Sequence, residues 1–182
     1  MSLRLFAAIA IPDDVAERLT ALMRGLGGAR WSPPENLHIT LRFYGELDEP
    51  TAEDLDLAIE SATAAVAPFA VRLKGAGAFG GGDPHAVWIG VEDNPALDRL
   101  AEACERAGRS CGLKPETRKF TPHVTLAKTR GVALDRVMAF QARCALFESR
   151  AFDVGGFGLY SSRIRTGAPS QYRLEAEYVL GG

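Results

Sequence analysis

Two short His-x-Thr segments carry the side chains of this chain that are best suited to chemistry. They read His38-Ile-Thr-Leu41 and His123-Val-Thr-Leu126. In a β-strand, residues i and i+2 project from the same face, so each segment offers one imidazole and one hydroxyl on one side. The residue between them and the one that follows are apolar, which suits a core on the opposite side. Each segment is therefore predicted to be a strand with one polar, reactive face.

The four polar side chains of these segments suit phosphodiester chemistry without a metal. Imidazole titrates near pH 6.5, so one histidine can act as a neutral general base while the other acts as a protonated general acid. Threonine hydroxyls can donate to the non-bridging oxygens of a phosphate. Metal binding by the two histidines is the alternative, but no Asp, Glu or Cys stands at an equivalent adjacent position in both segments. We expect no metal and no cofactor. The predicted catalytic residues are His38, Thr40, His123 and Thr125.

The surroundings of the two segments indicate an internal duplication. The stretch from Phe6 (Phe-Ala-Ala-Ile) resembles the stretch from Trp88 (Trp-Ile-Gly-Val), and each is predicted to be a strand that leads into a helix. The two histidines are 85 residues apart, close to half of the 182-residue chain. A single His-x-Thr is most often structural, whereas two copies at equivalent positions favour a function. We therefore expect two lobes that face each other about a pseudo-twofold axis.

The hydrophobic pattern predicts strands and helices in alternation. Helices are predicted to begin near Asp13, at Thr51 as the N-cap, after Asn94 and near Leu134. The glycine-rich stretch 75–84 is predicted to be a loop, and it lacks the Lys-Ser/Thr ending of a phosphate-binding P-loop. Strands are predicted at residues 3–11, 37–44, 69–74, 86–91, 121–128, 152–160 and 171–180.

Composition excludes several classes of protein. Lys and Arg number 21 against 23 Asp and Glu, a net charge of −2, which argues against broad, salt-driven binding to duplex nucleic acid. A small phosphorylated ligand or the end of an RNA strand needs only a few local cations. Three cysteines without a CxxC spacing fit a reducing cytoplasm. No apolar run reaches the roughly 18 residues of a membrane span.

Cations and aromatic residues near the two segments are the predicted substrate contacts. Lys128 lies five positions after His123, so in an ideal strand it faces away from the imidazole, and a turn or bulge after Ala127 would redirect it. The third histidine, His85, is expected at the surface of a loop, with a substrate contact as the alternative. The predicted phosphate contacts are Lys128, Arg42 and Arg130, and Phe43 is the main candidate for stacking on a base, beside Tyr44, Phe79 and Tyr160.

These motifs resemble a known family. The segments 36–46 (NLHITLRFYGE) and 121–128 (TPHVTLAK) are similar to those of the two-histidine (2H) phosphoesterases. Within that superfamily the chain is most similar to the bacterial and archaeal RNA 2′,3′-cyclic phosphodiesterases, the LigT or ThpR group, long called 2′-5′ RNA ligases. The resemblance covers nearly the whole chain, including the opening LFAAI and the GLYSSR stretch that precedes the last strand.

The resemblance implies a bilobal α+β fold, with two antiparallel sheets facing a central cleft and helices outside. Residues 1–182 would form one domain of two lobes, each contributing one His-x-Thr strand. The resemblance also implies metal-independent hydrolysis of a terminal 2′,3′-cyclic phosphate to a 2′-phosphate. His38 would be the proton donor to the departing 3′ oxygen and His123 the base that activates water, while Thr40 and Thr125 hold the phosphate. Lys128 stands where many members carry arginine. Lysine keeps the positive charge but lacks the planar fork of a guanidinium group.

Other functions fit the same residues. The site could join RNA by a 2′-5′ bond, with an RNA 5′-hydroxyl in place of water, or hydrolyse 2′-5′ oligonucleotides or ADP-ribose cyclic phosphate. A non-catalytic module that binds RNA ends is the alternative from another class. The expected partner is an RNA 3′ end or a small nucleotide with a 2′,3′-cyclic phosphate. We expect a cytoplasmic monomer without an obligate protein partner, since the duplication supplies both half-sites.

Overall fold

The computed structural model describes residues 2–181, which form four α-helices and ten β-strands. A short 3-10 turn, Pro34–Asn36, leads into the third strand. In chain order the elements are β1 Ser2–Ala10, α1 Asp13–Thr20, β2 Arg30–Trp31, β3 His38–Asp48, α2 Glu49–Thr63, β4 Phe69–Val71, β5 Leu73–Phe79, β6 Ala86–Val91, α3 Pro95–Ser110, β7 His123–Lys128, α4 Leu134–Cys144, β8 Phe152–Val154, β9 Gly156–Arg163 and β10 Gln171–Val179.

The strands form a large antiparallel sheet and a small one, which confirms the α+β class. The large sheet has the order β10-β9-β1-β3-β7-β6-β5, with β2 paired to β7, and the small sheet pairs β4 with β8. Two sheets facing a cleft were expected, whereas the structure joins the strands of both halves in this one continuous sheet. The small sheet is not the second of the expected pair, because it has only β4 and β8. The two halves of the large sheet are its β10-β9-β1-β3 and β7-β6-β5 parts. They meet where β3 lies beside β7, and Ile39 opposite Val124 is the register pair that joins them.

The helices cover one face of the large sheet. Apolar residues of that face, such as Leu5 and Ile39, are buried in one core together with Leu55 and Leu97 of the helices. The opposite face, which we call the front face, carries the polar side chains of the His-x-Thr segments. Apolar burial behind those segments is therefore what fixes the direction in which their polar side chains project.

The duplication appears in the topology. One half repeats the order strand, helix, strand, helix as β1, α1, β3 and α2, and the other as β6, α3, β7 and α4. The first strand of each unit, β1 or β6, is the antiparallel neighbour of the His-x-Thr strand of that unit, and the short strand β2 lies outside the repeat. By register, Ala8 lies opposite Thr40 and Trp88 lies opposite Thr125. Trp88 therefore corresponds to Ala8 and not to Phe6, an offset of two residues that leaves the face unchanged because the strand period is two.

A β-bulge follows the threonine in each half. Ala8 pairs with Thr40 but Ala7 pairs with Arg42, so Leu41 is an extra residue in β3. The extra residue shifts the alternation of faces by one position in the residues that follow it.

The second half repeats this bulge. Trp88 pairs with Thr125 but Val87 pairs with Ala127, so Leu126 is the extra residue in β7. Residues that lie at odd offsets from each histidine are thereby brought to the front face after the bulge.

Several predicted boundaries are wrong. The stretch 152–160 forms two strands, β8 and β9, in different sheets, and β3 continues past residue 44 to Asp48. The N-cap of α2 is Asp48, whose carboxylate accepts a hydrogen bond from the Thr51 backbone N–H at 3.0 Å, so Thr51 is already inside the first turn. Strand β5 continues through Gly75 to Phe79, where a loop was expected. A Cβ at Gly77 would overlap the indole of Trp88, so this glycine permits a side chain to lie across the strand.

Ile39 lies at the narrow contact between the two halves and is fully buried. We expect Ile39→Ala to lower the free energy of unfolding by about 2–5 kcal/mol, because it removes buried methylenes and leaves a cavity. Urea unfolding followed by circular dichroism measures this. Leu57→Ala is the control, since Leu57 is 64% exposed and its loss should change stability by about 0.5 kcal/mol or less. Equal losses from both variants would contradict a special role for the Ile39 contact.

Candidate active site

The register of β3 and β7 gathers the predicted catalytic residues. Ile39 and Val124 oppose each other and are both buried toward the helices. In an antiparallel pair, one step along each strand in opposite directions gives the next opposing positions, on the other face. The front face therefore carries two cross-strand pairs, which we call the His–Thr cluster: His38 with Thr125, and Thr40 with His123.

Both imidazoles are oriented by a backbone carbonyl two residues upstream. Nδ1 of His38 lies 2.7 Å from the carbonyl oxygen of Asn36, and Nδ1 of His123 lies 2.6 Å from that of Thr121. A carbonyl oxygen only accepts hydrogen bonds, so each Nδ1 carries a hydrogen and donates it. In the neutral ring the lone pair is then on Nε2, which becomes the nitrogen that can take or give a proton.

Nε2 of His38 lies 3.0 Å from Oγ1 of Thr40. With a neutral ring, the hydroxyl donates to Nε2. With a protonated ring, Nε2–H donates to the hydroxyl oxygen and the hydroxyl hydrogen is released toward a ligand. Nε2 of His123 has no hydrogen-bond partner within residues 2–181 and is available for a water or a substrate oxygen.

Aromatic rings pack against the His38 imidazole. Its centroid lies 5.1 Å from that of Phe6 and 5.4 Å from that of Tyr172, which meets it edge-on. Phe6 in turn stacks on Tyr160 at 5.5 Å. These contacts restrict the ring to one orientation and exclude water from its sides.

The His123 imidazole has its own aromatic pair. Phe79 meets it edge-on at 4.8 Å, and Trp88 lies at 5.7 Å. His85 stacks on Phe79 with centroids 6.4 Å apart and is exposed, so Phe79 lies between the third histidine and the cluster. His85 is thus at the loop surface, as expected, and reaches His123 only through that ring.

Burial lowers the pKa of both histidines. Desolvation is the main cause for His38, and the nearby charge of His123 lowers its pKa further, while the hydrogen bond to the Asn36 carbonyl opposes the shift. Desolvation also lowers the pKa of His123, against the hydrogen bond to Thr121. The two rings therefore resist carrying two protons at once, and a bound anion would favour the protonated forms of both.

The bulge in β7 brings Lys128 to the front face. Lys128 lies opposite Ala86, which shares its face with Trp88 and Thr125. The side chain of Lys128 is thus redirected to the face of His123 despite its odd offset. The cause is the extra residue Leu126 and not a turn after Ala127. Lys128 is exposed, and its backbone lies about 7 Å along the strand from Thr125.

Sequence reasoning missed Arg30. It lies in the two-residue strand β2 directly opposite Lys128, so both side chains project from the front face. No carboxylate pairs with either cation within residues 2–181, although like charges on opposing positions are unfavourable. An anion between them would relieve that repulsion. A strand of two residues is too short for periodicity to reveal, so no local signal pointed to Arg30.

The bulge in β3 separates Phe43 from Arg42. Phe43 lies opposite Phe6 on the front face, is 37% exposed and is covered by the guanidinium of Arg4 at 4.7 Å. Arg4 is a second front-face residue that sequence analysis did not assign to the site.

Arg42 points toward the helices instead. Its Nε lies 2.5 Å from a carboxylate oxygen of Glu105 in α3, and its guanidinium also donates to the Lys114 carbonyl at 2.7 Å. The structure does not bring Arg42 to the cluster, and we no longer assign it to the phosphate. Arg130 follows β7 in an exposed turn and makes no contact with the cluster in the part of the chain that the structure describes.

Residues 2–181 contain no group of three or more His, Cys, Asp or Glu side chains placed to hold a metal ion. None of the helices in that range is long and apolar enough to cross a membrane.

Comparison with known proteins places this cluster in a family. The family model described as the 2′-5′ RNA ligase superfamily matches residues 11–163. The chain is 28% identical over 173 residues to the RNA 2′,3′-cyclic phosphodiesterase of Aquifex aeolicus, covering 93% of this chain and 92% of that one. It is 32% identical over 132 residues to the RNA 2′,3′-cyclic phosphodiesterase of Archaeoglobus fulgidus, covering 70% and 73%.

Solved structures agree with this match. E. coli LigT in complex with 3′-AMP superposes with a TM-score of 0.81 at 24% identity, covering all of both chains. A protein of Thermus thermophilus superposes with a TM-score of 0.80 at 27% identity, covering 98% of each chain. The fold is thus shared along the whole chain, and the matched region contains both His-x-Thr strands. The chain belongs to the 2′-5′ RNA ligase superfamily.

Proposed function

We propose that this protein is an RNA 2′,3′-cyclic phosphodiesterase that hydrolyses a terminal cyclic phosphate to a 2′-phosphate without a metal. The observation that carries the proposal is the His–Thr cluster, in which two carbonyl-anchored imidazoles and two hydroxyls face one point between β3 and β7. The named activity of the relatives from Aquifex aeolicus and Archaeoglobus fulgidus supports it.

The reaction needs one base and one acid on opposite sides of the phosphorus. Nε2 of His123 takes a proton from water as its oxygen attacks the phosphorus. Nε2–H of His38 gives a proton to the departing 3′ oxygen, which leaves a 3′-hydroxyl and a 2′-phosphomonoester. The carbonyls of Asn36 and Thr121 accept from Nδ1–H and stabilise the imidazolium of each ring, which His38 carries before the step and His123 after it.

The hydroxyls of Thr40 and Thr125 donate to the non-bridging oxygens, where negative charge grows in the transition state. The assignment of the donor to His38 and the acceptor to His123 follows the pattern of the family. A bound cyclic phosphate carries a negative charge, and that charge raises the pKa of a neighbouring imidazole and supports the protonated state of His38.

The substrate in this proposal is an RNA 3′ end or a small nucleotide with a 2′,3′-cyclic phosphate. Lys128 and Arg30 supply positive charge on the His123 side, and Phe43 offers an exposed ring on the other half. Both half-sites come from one chain, so we propose a monomer in which residues 1–182 form one catalytic domain. The reduced cysteines, Cys104, Cys111 and Cys144, suit a cytoplasmic location.

Ligation is the second candidate, and the Arg30–Lys128 pair favours it. These cations lie on the side from which water attacks, where a second RNA would have to place its 5′-hydroxyl. Joined products from RNA with cyclic-phosphate and 5′-hydroxyl ends at physiological salt would support ligation. Hydrolysis alone would leave the phosphodiesterase as the function.

His38→Gln and His123→Gln should each lower kcat/KM by about 10²–10⁴-fold, because each removes one proton-transfer group. The assay uses an oligoribonucleotide with a 2′,3′-cyclic phosphate in EDTA, and phosphorus NMR identifies the product. The wild type should yield the 2′-phosphate. Full activity in either variant, or loss of wild-type activity in EDTA, would contradict the mechanism.

The pH optimum of kcat/KM should lie below 6.5. Burial lowers the pKa of both His38 and His123 in the free protein, so the base is available and the acid still protonated only in this range. As pH rises, the acid loses its proton and the rate falls. A profile of kcat/KM from pH 4.5 to 9 measures this, and an optimum above about 7.5 would show that burial does not dominate.

Arg30→Gln should weaken binding of a product oligonucleotide with a 2′-phosphate end. It should also reduce the slope of log K against log salt concentration by about 0.7, the value for one phosphate contact on a single strand. Fluorescence anisotropy between 50 and 300 mM salt measures both. The matched control is Arg99→Gln, an exposed arginine of α3, for which the slope should not change. Equal slopes for both variants would remove Arg30 from the binding surface.

A further inference from the structure

Arg4 lies on the front face of the half that carries His38, and aromatic rings hold its guanidinium in place. The guanidinium carbon lies 4.7 Å from the centroid of the Phe43 ring, a cation–π contact. Burial raises the pKa of the Tyr172 phenol and the charge of Arg4 opposes that rise, so Arg4 lies close to Tyr172 as well. Arg4 is itself half-buried. Its side chain is therefore ordered before any ligand binds.

The positive charge of Arg4 has no carboxylate partner within residues 2–181. Glu46 lies opposite Arg4 in β3, but their side chains form no ion pair there, whereas Arg42 and Arg150 do pair with carboxylates. An ordered, half-buried guanidinium without a counter-ion suits an anion, and its planar set of donors fits two oxygens of a phosphate.

One layer of aromatic rings separates Arg4 from His38. The rings of Phe6 and Tyr172 contact the His38 imidazole, with centroids at 5.1 and 5.4 Å, and they contact each other at 5.0 Å. Phe6 lies opposite Phe43, whose ring carries the Arg4 guanidinium. These three rings, which we call the aromatic layer, extend from the proposed proton donor to the unpaired cation.

The ribbon formed by β9 and β10 bends over the front face to complete this layer. By register Tyr172 is level with Arg4, six residues or about 20 Å along β1 from the residue opposite His38, yet its ring contacts His38. The side-chain amide of Asn36 donates to the Ser170 carbonyl at 2.8 Å and holds the bent end of the ribbon there. The bend brings the surroundings of Arg4 and the catalytic imidazole onto one surface.

The proposed mechanism places the ribose of the substrate on this surface. His38 gives a proton to the departing 3′ oxygen, and the attacking water lies in line on the other side of the phosphorus, toward His123. The ribose that carries the 3′ oxygen therefore lies on the His38 half, beside the aromatic layer. Its 5′ oxygen is at the far end of the sugar from the cyclic phosphate, and an RNA chain has its next phosphate there.

Two more arginines lie at the bent end of the ribbon. Arg163 and Arg165 are exposed, and neither side chain has a hydrogen bond, ion pair or ring contact in the described part of the chain. Fixing such a free side chain on a phosphate costs rotamer entropy that Arg4, already ordered, does not lose. Arg4 is therefore the better anchor for one defined phosphate.

We propose that Arg4 binds the phosphate on the 5′ side of the terminal nucleotide, so that the enzyme acts on the ends of RNA chains in preference to cyclic mononucleotides. The Phe43 ring holds the guanidinium, and the ribose between the two phosphates spans the aromatic layer. The inference rests on the proposed function for its placement of the ribose.

The experiment uses two substrates that differ only in that phosphate: adenosine 2′,3′-cyclic phosphate with and without a 5′-phosphate. The wild type should favour the 5′-phosphorylated substrate in kcat/KM by about tenfold or more, as expected for charge-assisted hydrogen bonds. Arg4→Gln should shrink that ratio about tenfold, and Arg4→Lys should retain part of it because the charge remains.

Arg18→Gln is the matched control. The Arg18 guanidinium lies 5.1 Å from the centroid of the Phe147 ring, the same kind of contact, but it belongs to α1 on the helix side of the sheet. Its loss should leave the ratio between the two substrates within about twofold of the wild-type value.

A second readout separates this inference from the proposed function. Calorimetric binding of adenosine 2′-phosphate and adenosine 2′,5′-bisphosphate needs no turnover, and the same ratios should appear in Kd. A preference for the bisphosphate that depends on Arg4 would support the inference even if no cyclic phosphate were hydrolysed. Hydrolysis without a preference for the 5′-phosphate, or an equal loss for both substrates in Arg4→Gln, would overturn the inference and leave the phosphodiesterase standing.

Discussion

The single register pair between Ile39 and Val124 is the constraint on which the site depends. Both residues are buried toward the helices, so the residues on either side of them must project from the front face. A slip of one residue in either strand would turn an imidazole into the core and bring an isoleucine or valine to the surface. Because apolar burial opposes that slip, the core behind the sheet sets the positions of both histidines.

The paired bulges add a second level of control. Leu41 and Leu126 each shift the alternation of faces, so that Phe43 and Lys128 join the front face while Arg42 is directed to Glu105. Duplication thus supplies a common frame, and the residues after each bulge differ. One half ends in an aromatic ring and the other in a cation, which gives the cleft two chemically distinct sides.

Positive charge lies on both halves of the front face. Arg30 and Lys128 lie on the His123 side, and Arg4 lies on the His38 side, over the ring of Phe43. Burial lowers the pKa of both imidazoles and so favours their neutral forms in the free site, whereas a bound phosphate favours the protonated acid.

The sequence by itself determined the two His-x-Thr strands and the duplication, because each depends on local periodicity or on a repeat that the chain displays directly. Only the tertiary structure decided the destinations of Arg42, Lys128 and Arg30. A bulge is defined by the partner strand. Arg30 is placed at the site by its pairing with Lys128, which lies 98 residues away in the chain. Side-chain direction after a bulge and pairing across a long separation are properties of the register, which no window of sequence contains.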